Sequence, residues 1–119
     1  MVILLAEDDA TVQKFAGKVL TTDGFTVLTA GDGKAALEAA RKTPGTIDLL
    51  LTDVEMPRMG GLELCRNIST ERPGIKVLLM SSDPLTAFKN GLPFLQKPFS
   101  QTTLRISIEA LLGPIPPLG

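Results

Sequence analysis

Short apolar runs alternate with stretches of helical period along the whole chain. Val2-Ile3-Leu4-Leu5-Ala6 is continuously apolar, which predicts a strand buried on both faces. It stops at Glu7-Asp8-Asp9. From Thr11 to Thr22, Val12, Phe15, Ala16, Val19 and Leu20 recur at helical spacing, and Asp23-Gly24 ends that helix. Phe25 to Thr29 reads as a second strand. Asp32-Gly33 opens a second helix, with Ala36, Leu37 and Ala40 on one side, that closes near Pro44-Gly45. Ile47 to Thr52 is a third strand and stops at Asp53. A loop with Pro57 and two glycines leads to a third helix from about Gly61 to Thr70, broken by Arg72-Pro73-Gly74. Lys76 to Met80 is a fourth strand, followed by Ser81-Ser82-Asp83. Between Pro84 and Asn90 there is room only for a short helix. Leu92 to Gln96 is a fifth strand that ends at Lys97-Pro98. The last helix runs from about Ser100 to Leu112, and Gly113-Pro114 terminates it.

A strand-helix unit repeated five times predicts an α/β domain with a doubly wound parallel sheet and helices on both faces. Five strands suit the order 2-1-3-4-5, as in flavodoxin-like folds. Residues 1-113 are expected to form this one domain, and 114-119 an irregular tail or the stub of a linker.

Composition narrows the class. A chain of 119 residues suits one domain and can hide roughly two-thirds of its unfolded surface without a metal or disulfide. With five Phe and no Trp or Tyr, the core must come from Leu, Ile, Val and Ala. The net charge of −1 and the lack of a basic run speak against direct nucleic-acid binding. No stretch approaches the roughly 20 apolar residues of a membrane span. The single cysteine, Cys65, shares a helical face with Leu64 and Ile68 and reads as a small core residue. One cysteine makes no internal disulfide, which fits a cytoplasmic protein. The absence of histidine removes a Ser-His-Asp site, the usual metal triads and any phospho-histidine carrier within this sequence.

The chemistry lies where the strands end. Glu7, Asp8 and Asp9 follow the first strand, Asp53 the third, Ser81 and Ser82 the fourth, and Lys97 the fifth. Open α/β sheets bind ligands outside the carboxyl ends of their strands, at the point where strand order reverses. In the order 2-1-3-4-5 that point lies between strands one and three, so Asp8 and Asp53 face each other. Carboxylates about 5 Å apart repel by roughly 3 kcal/mol per pair at an effective dielectric near 20. Lys97 offsets part of this. A divalent cation with hard oxygen ligands and retained water, of which Mg²⁺ is the natural choice, offsets the rest. Two carboxylates, a cation, a lysine and a hydroxyl suit a phosphoryl group. Each residue alone has an ordinary explanation, as a helix cap, a solvated acidic turn, a surface lysine or a turn serine. Their joint order along the strand ends is what points to chemistry.

Three blocks carry a resemblance: Leu4 to Asp9, Leu51 to Leu64 and Phe94 to Phe99. Together they resemble the signature blocks of response-regulator receiver domains of two-component signal transduction, the CheY-like superfamily, and the likeness extends from Val2 to Leu112. It implies that Asp53 is the phosphoacceptor. It implies Asp8 as a direct metal ligand, Glu7 as its partner through metal-bound water, and the Glu55 carbonyl as a third protein contribution. Lys97 would contact the phosphoryl oxygens, Ser81 would be the switch hydroxyl and Phe94 the aromatic that follows it. Lys97-Pro98 would be cis, which X-Pro bonds tolerate. Glu55 and Asp83 would flank the phosphoryl group. The partner would be a histidine kinase or phosphotransfer protein, and the domain a signalling phosphoprotein with slow autodephosphorylation rather than an enzyme.

Two departures stand out. Ser81 to Lys97 is several residues shorter than is usual in the family, so the fourth helix is expected to be shortened or missing. That face often dimerises or signals in relatives, which leaves room for a weak homodimer. Gly60 stands where the family usually has Asp, which predicts a looser loop. The alternative is a pseudo-receiver, an interaction module that never takes phosphate. A flavodoxin-like cofactor site would need a phosphate-cradling loop where Glu7-Asp8-Asp9 stand. An aspartate-nucleophile phosphatase would want Asp where Glu55 stands.

Overall fold

The computed structural model describes residues 1-115. Its elements are β1 (Val2–Ala6), α1 (Ala10–Thr22), β2 (Thr26–Ala30), α2 (Gly33–Lys42), β3 (Leu49–Asp53), α3 (Gly61–Glu71), β4 (Lys76–Ser81), α4 (Leu85–Asn90), β5 (Phe94–Gln96) and α5 (Gln101–Leu112). The five strands form one parallel sheet in the order β2-β1-β3-β4-β5, as predicted. The fourth helix is shortened, to six residues, and not missing.

Strand residues alternate between two layers because side chains have a period of two. Ile3, Leu5, Leu49, Leu51, Leu78, Met80 and Leu95 face Ala16, Val19 and Leu20 of α1 and Leu104 and Ile108 of α5. Leu4, Ala6, Leu50 and Leu79 face Ala36, Leu37 and Ala40 of α2 and Leu64, Cys65 and Ile68 of α3. Each fully buried Leu contributes roughly 1.5–3 kcal/mol by leaving water. This two-sided burial is why β1, β3 and β4 read as unbroken apolar runs.

The helices start where the sequence supplies oxygen. Asp9 Oδ1 accepts from the N–H of Thr11, 2.8 Å away, Asp32 Oδ1 from Ala35 at 2.8 Å, and Ser100 Oγ from Thr103 at 3.1 Å. These are N-caps. Gly60 occupies the same place before α3 and has no side chain to offer. There the Gly61 N–H turns back to the Val54 carbonyl at 2.8 Å. No helix among the described residues is long and apolar enough to cross a membrane.

Element ends moved by one or two residues. Phe25 precedes β2 because its N–H bonds the Leu20 carbonyl at 3.1 Å and closes α1 after Gly24, which is at φ +97. This is the left-handed glycine stop of a helix. Ile47 is buried but precedes β3, and Asp48 accepts the Val2 N–H at 2.7 Å through its side chain. The expected tail falls partly in residues 116-119, outside the described residues. Gly113 to Ile115 have no regular structure, yet Ile115 is buried against the α1–α5 layer, with its N–H on Glu109 Oε1 at 3.3 Å.

Two predictions follow from the packing. A Cβ on Gly61 would lie 2.1 Å from the Asp53 carbonyl oxygen, whereas one on Gly74 would meet nothing within 4 Å. Gly61→Ala should therefore destabilise the fold by about 2 kcal/mol in urea unfolding, and Gly74→Ala should leave it unchanged or slightly firmer. Burial pushes the Cys65 thiol up to about 11, so it stays protonated and shielded. Iodoacetamide at neutral pH should modify it only when denaturant opens the chain.

Candidate functional site

The strand alternation that builds the core also sets out the site. Positions 3 and 5 of β1, 49 and 51 of β3 and 95 of β5 face α1 and α5. One step further on each strand come Glu7, Asp53 and Lys97. The chemistry thus continues the α1–α5 layer past the point where the apolar residues stop.

These three side chains meet. Lys97 Nζ donates to Glu7 Oε1 in a short contact and to Asp53 Oδ2 at 3.1 Å. Glu7 is 1 % exposed and Asp53 9 %. Glu7 Oε2 accepts the Asp9 N–H at 3.2 Å, and Asp53 Oδ1 accepts the Glu55 N–H at 3.3 Å. Burial pushes the Glu7 carboxyl up to about 7; the Lys97 ammonium opposes this and neighbouring Asp53 adds to it. Burial would lower the Lys97 ammonium, but the carboxylates of Glu7 and Asp53 outweigh it and hold it above its ordinary value. The Lys97-Pro98 peptide is cis.

Asp8 is exposed. One carboxylate oxygen from each of Glu7, Asp8 and Asp53 falls within 4.8 Å of the others. Three hard oxygen donors this close form the kind of set that a divalent cation takes. A cleft of about 330 Å³ opens beside them, lined by Asp8, Asp9, Asp53, Glu55, Ser81, Ser82, Asp83 and Lys97.

Ser81 and Phe94 belong to the other layer. Ser81 pairs with Gln96 and Leu79 with Phe94 across the β4–β5 ladder. Phe94 is half-buried and packs on the layer of Leu79. The Ser81 hydroxyl is buried, accepting the Asp83 N–H at 3.0 Å and standing 3.5 Å from the Thr86 hydroxyl of α4. The Lys97 N–H donates to the Ser81 carbonyl at 2.8 Å. Apart from Phe94, which opens β5, the candidate residues of the sequence reading lie at or just beyond the carboxyl ends of the strands. Glu7 stands out in pointing inward, to Lys97.

Several residues around the site had no prior signal. Gln13 of α1 donates from Nε2 to the carbonyls of Glu7 at 3.1 Å and Ala30 at 3.2 Å, tying together the ends of β1 and β2. Arg58 pairs with Asp32, from the loop after Asp53 to the cap of α2. The Ala35 N–H first, and then the Arg58 guanidinium, hold the Asp32 carboxyl below the usual carboxylate range. A glutamine on a helix and an arginine in a loop are too common to signal such contacts.

Known proteins agree with this geometry. The family model of the response regulator receiver domain matches residues 3–109. The chain is 34% identical to the response regulator receiver protein CpdR of Brucella abortus, over 92% of this chain and 95% of that protein. It is also 34% identical to the sensor kinase CckA of the same organism, over 92% of this chain but 12% of the relative. The probable transcriptional regulatory protein TcrX of Mycobacterium tuberculosis is 31% identical, and the chain spans about half, 49%, of its length. Among solved structures, the receiver domain of the hybrid histidine kinase CckA superposes with a TM-score of 0.76 at 34% identity, covering 94% of this chain and 99% of the other. The chemotaxis response regulator CheY4 of Vibrio cholerae gives a TM-score of 0.85 at 26% identity, covering 93% and 98%. Sheet order, strand-end acids and lysine, and family match together make this chain a member of the response regulator receiver domain family.

Proposed function

We propose that this receiver accepts a phosphoryl group on Asp53 from a phospho-histidine of a histidine kinase or phosphotransfer protein, in a Mg²⁺-dependent step, and switches conformation as a result. The observation that carries this is the cluster itself: Asp53 held 3.1 Å from Lys97, with oxygens of Glu7 and Asp8 within 4.8 Å, under an open polar cleft. A buried ion pair that served stability alone would have no need of an exposed third carboxylate beside it.

In this reading Asp8 and Asp53 hold the cation directly, Glu7 supports it through water, and the Glu55 carbonyl completes the protein's share. Mg²⁺ would draw charge from the equatorial phosphoryl oxygens. Asp53 provides the attacking oxygen, the P–N bond to the imidazole breaks, and the phosphoryl group ends on the carboxylate. Lys97 releases Asp53 to contact a phosphoryl oxygen while keeping Glu7. Phosphorylation adds a charge near −2, which Lys97 and Ser81 are placed to meet. Ser81 then gives up its bond from Asp83, and Phe94, in the same layer, follows. Inverting a 1:99 equilibrium takes about 5.5 kcal/mol, within reach of a few charge-assisted hydrogen bonds. Glu55 and Asp83, both lining the cleft, tune the slow hydrolysis.

Residues 1-113 carry the receiver in this reading, and 114-119 are tail or linker, with Ile115 tacked onto the α1–α5 layer. The setting is cytoplasmic signalling with no direct contact to nucleic acid or membrane, and a weak homodimer is compatible with it. The six-residue α4 favours one second reading, a receiver used purely as an interaction module without phosphate.

Acetyl phosphate with Mg²⁺ should add one phosphoryl group by intact-mass measurement. EDTA or Asp53→Ala should abolish the gain. No gain in the native protein leaves the interaction module as the reading; a gain that survives Asp53→Ala moves the site elsewhere. Ser81→Ala should still be labelled, but the ring resonances of Phe94 in NMR spectra should no longer shift on labelling. An unchanged Phe94 response in that variant would remove Ser81 from the switch.

A further inference from the structure

The loop from Val54 to Gly60 is held at three places. At its base the Val54 N–H bonds the Met80 carbonyl at 3.0 Å and the Gly61 N–H bonds the Val54 carbonyl at 2.8 Å. Near its end the Gly33 N–H bonds the Met59 carbonyl at 3.1 Å. Gly33 has no room for a side chain, since a Cβ there would lie 2.3 Å from that same oxygen. At the tip, Arg58 Nε and Nη2 both donate to Asp32 Oδ2, at 2.9 and 2.6 Å.

The tip is also strained. The Met59 N–H bonds the Pro57 carbonyl at 2.7 Å, closing a three-residue turn around Arg58 at φ +66, the one non-glycine residue with positive φ among those described. A three-residue turn with positive φ at its centre is the rare, costly kind. An L side chain stays in such a conformation only where its surroundings hold it. Glycine would fit at lower cost, so the side chain of Arg58 has something to do. It reaches a carboxylate whose side chain is 7% exposed and whose other oxygen caps α2. That carboxylate sits at the start of α2, where the Gly33 N–H also holds the Met59 carbonyl.

Next to the base of the loop, three residues before Arg58, stands Glu55. Its N–H touches Asp53 Oδ1, and its carbonyl belongs to the proposed cation shell. The geometry points to the Asp32–Arg58 pair as a latch that sets the shape of this loop, and so positions the Glu55 backbone for Asp53 and the cation. Neither residue touches the site; both are positioning residues. This rests on the reading of the site given above.

Two measurements test it: calorimetric titration of the unphosphorylated protein with MgCl₂, and amide hydrogen exchange of Glu55 and Met59 in metal-free protein. Arg58→Ala and Asp32→Asn should each weaken Mg²⁺ binding about tenfold, the low end for partners outside the ligand shell, and speed exchange at both amides. Asn at position 32 keeps an oxygen for the Ala35 N–H, so α2 remains capped. Arg58→Lys, with charge but no fork, should fall between Arg58→Ala and the native protein. Arg41→Ala breaks a two-bond pair with Glu71, at the far ends of α2 and α3, and should change neither readout. Native-like Mg²⁺ affinity in both Arg58→Ala and Asp32→Asn would overturn the latch, as would an equal loss in Arg41→Ala. Native protein that binds no Mg²⁺ would instead overturn the reading of the site on which the latch depends.

Discussion

The Lys97 ammonium stands between two carboxylates that have little contact with water. It comes from the end of β5, at the edge of the sheet, and reaches past β4 to Asp53 on β3 and to Glu7 beyond β1. Without it, the buried Glu7 carboxyl would keep only the Asp9 N–H as a partner, and a buried charge left unpaired either costs several kcal/mol or is given up by protonation. The carboxyl ends of three strands are therefore held in mutual position by one cation. Unlike a core contact, Lys97 is partly exposed and lines the cleft beside Asp53.

Close approach of backbone is the second requirement. Gly61 lies against the Asp53 carbonyl and Gly33 against the Met59 carbonyl. These glycines bring the starts of α2 and α3 up to the loop that follows Asp53. The Lys97 ammonium draws Glu7 and Asp53 together from the strand side against their mutual repulsion. The two glycines let the opposite side close without a gap.

Much of this was legible from residue order. β1, β3 and β4 are buried on both faces, so their apolar runs announce them. Helix starts at Asp9, Asp32 and Ser100 follow from capping oxygens. Glu7, Asp53 and Lys97 were legible because each stands where an apolar strand run gives out, and a period of two carries the three onto one layer. Strand ends were less legible: Ile47 and Leu92 are apolar but lie outside the ladders, one buried and one partly exposed. Asp32 was read as a helix opener, which it is, but its second oxygen serves a residue 26 positions away. Nothing local to Arg58 signals a positive φ, since that conformation is usual for glycine or asparagine. It arises from contacts remote in sequence, as do the bridges made by Gln13.

The shortness of β5 has a consequence for the edge of the sheet that it forms. Its three residues sit between Pro93 and Pro98, neither of which has an N–H to donate. An exposed strand edge invites pairing with another molecule, and natural sheets blunt such edges by brevity and proline. A chain whose neighbouring helix has shrunk to six residues has less with which to cover that edge. The prolines make cover less necessary: they leave too few donors in line to template an added strand, so the loss of helix length need not turn the domain into a seed for aggregation.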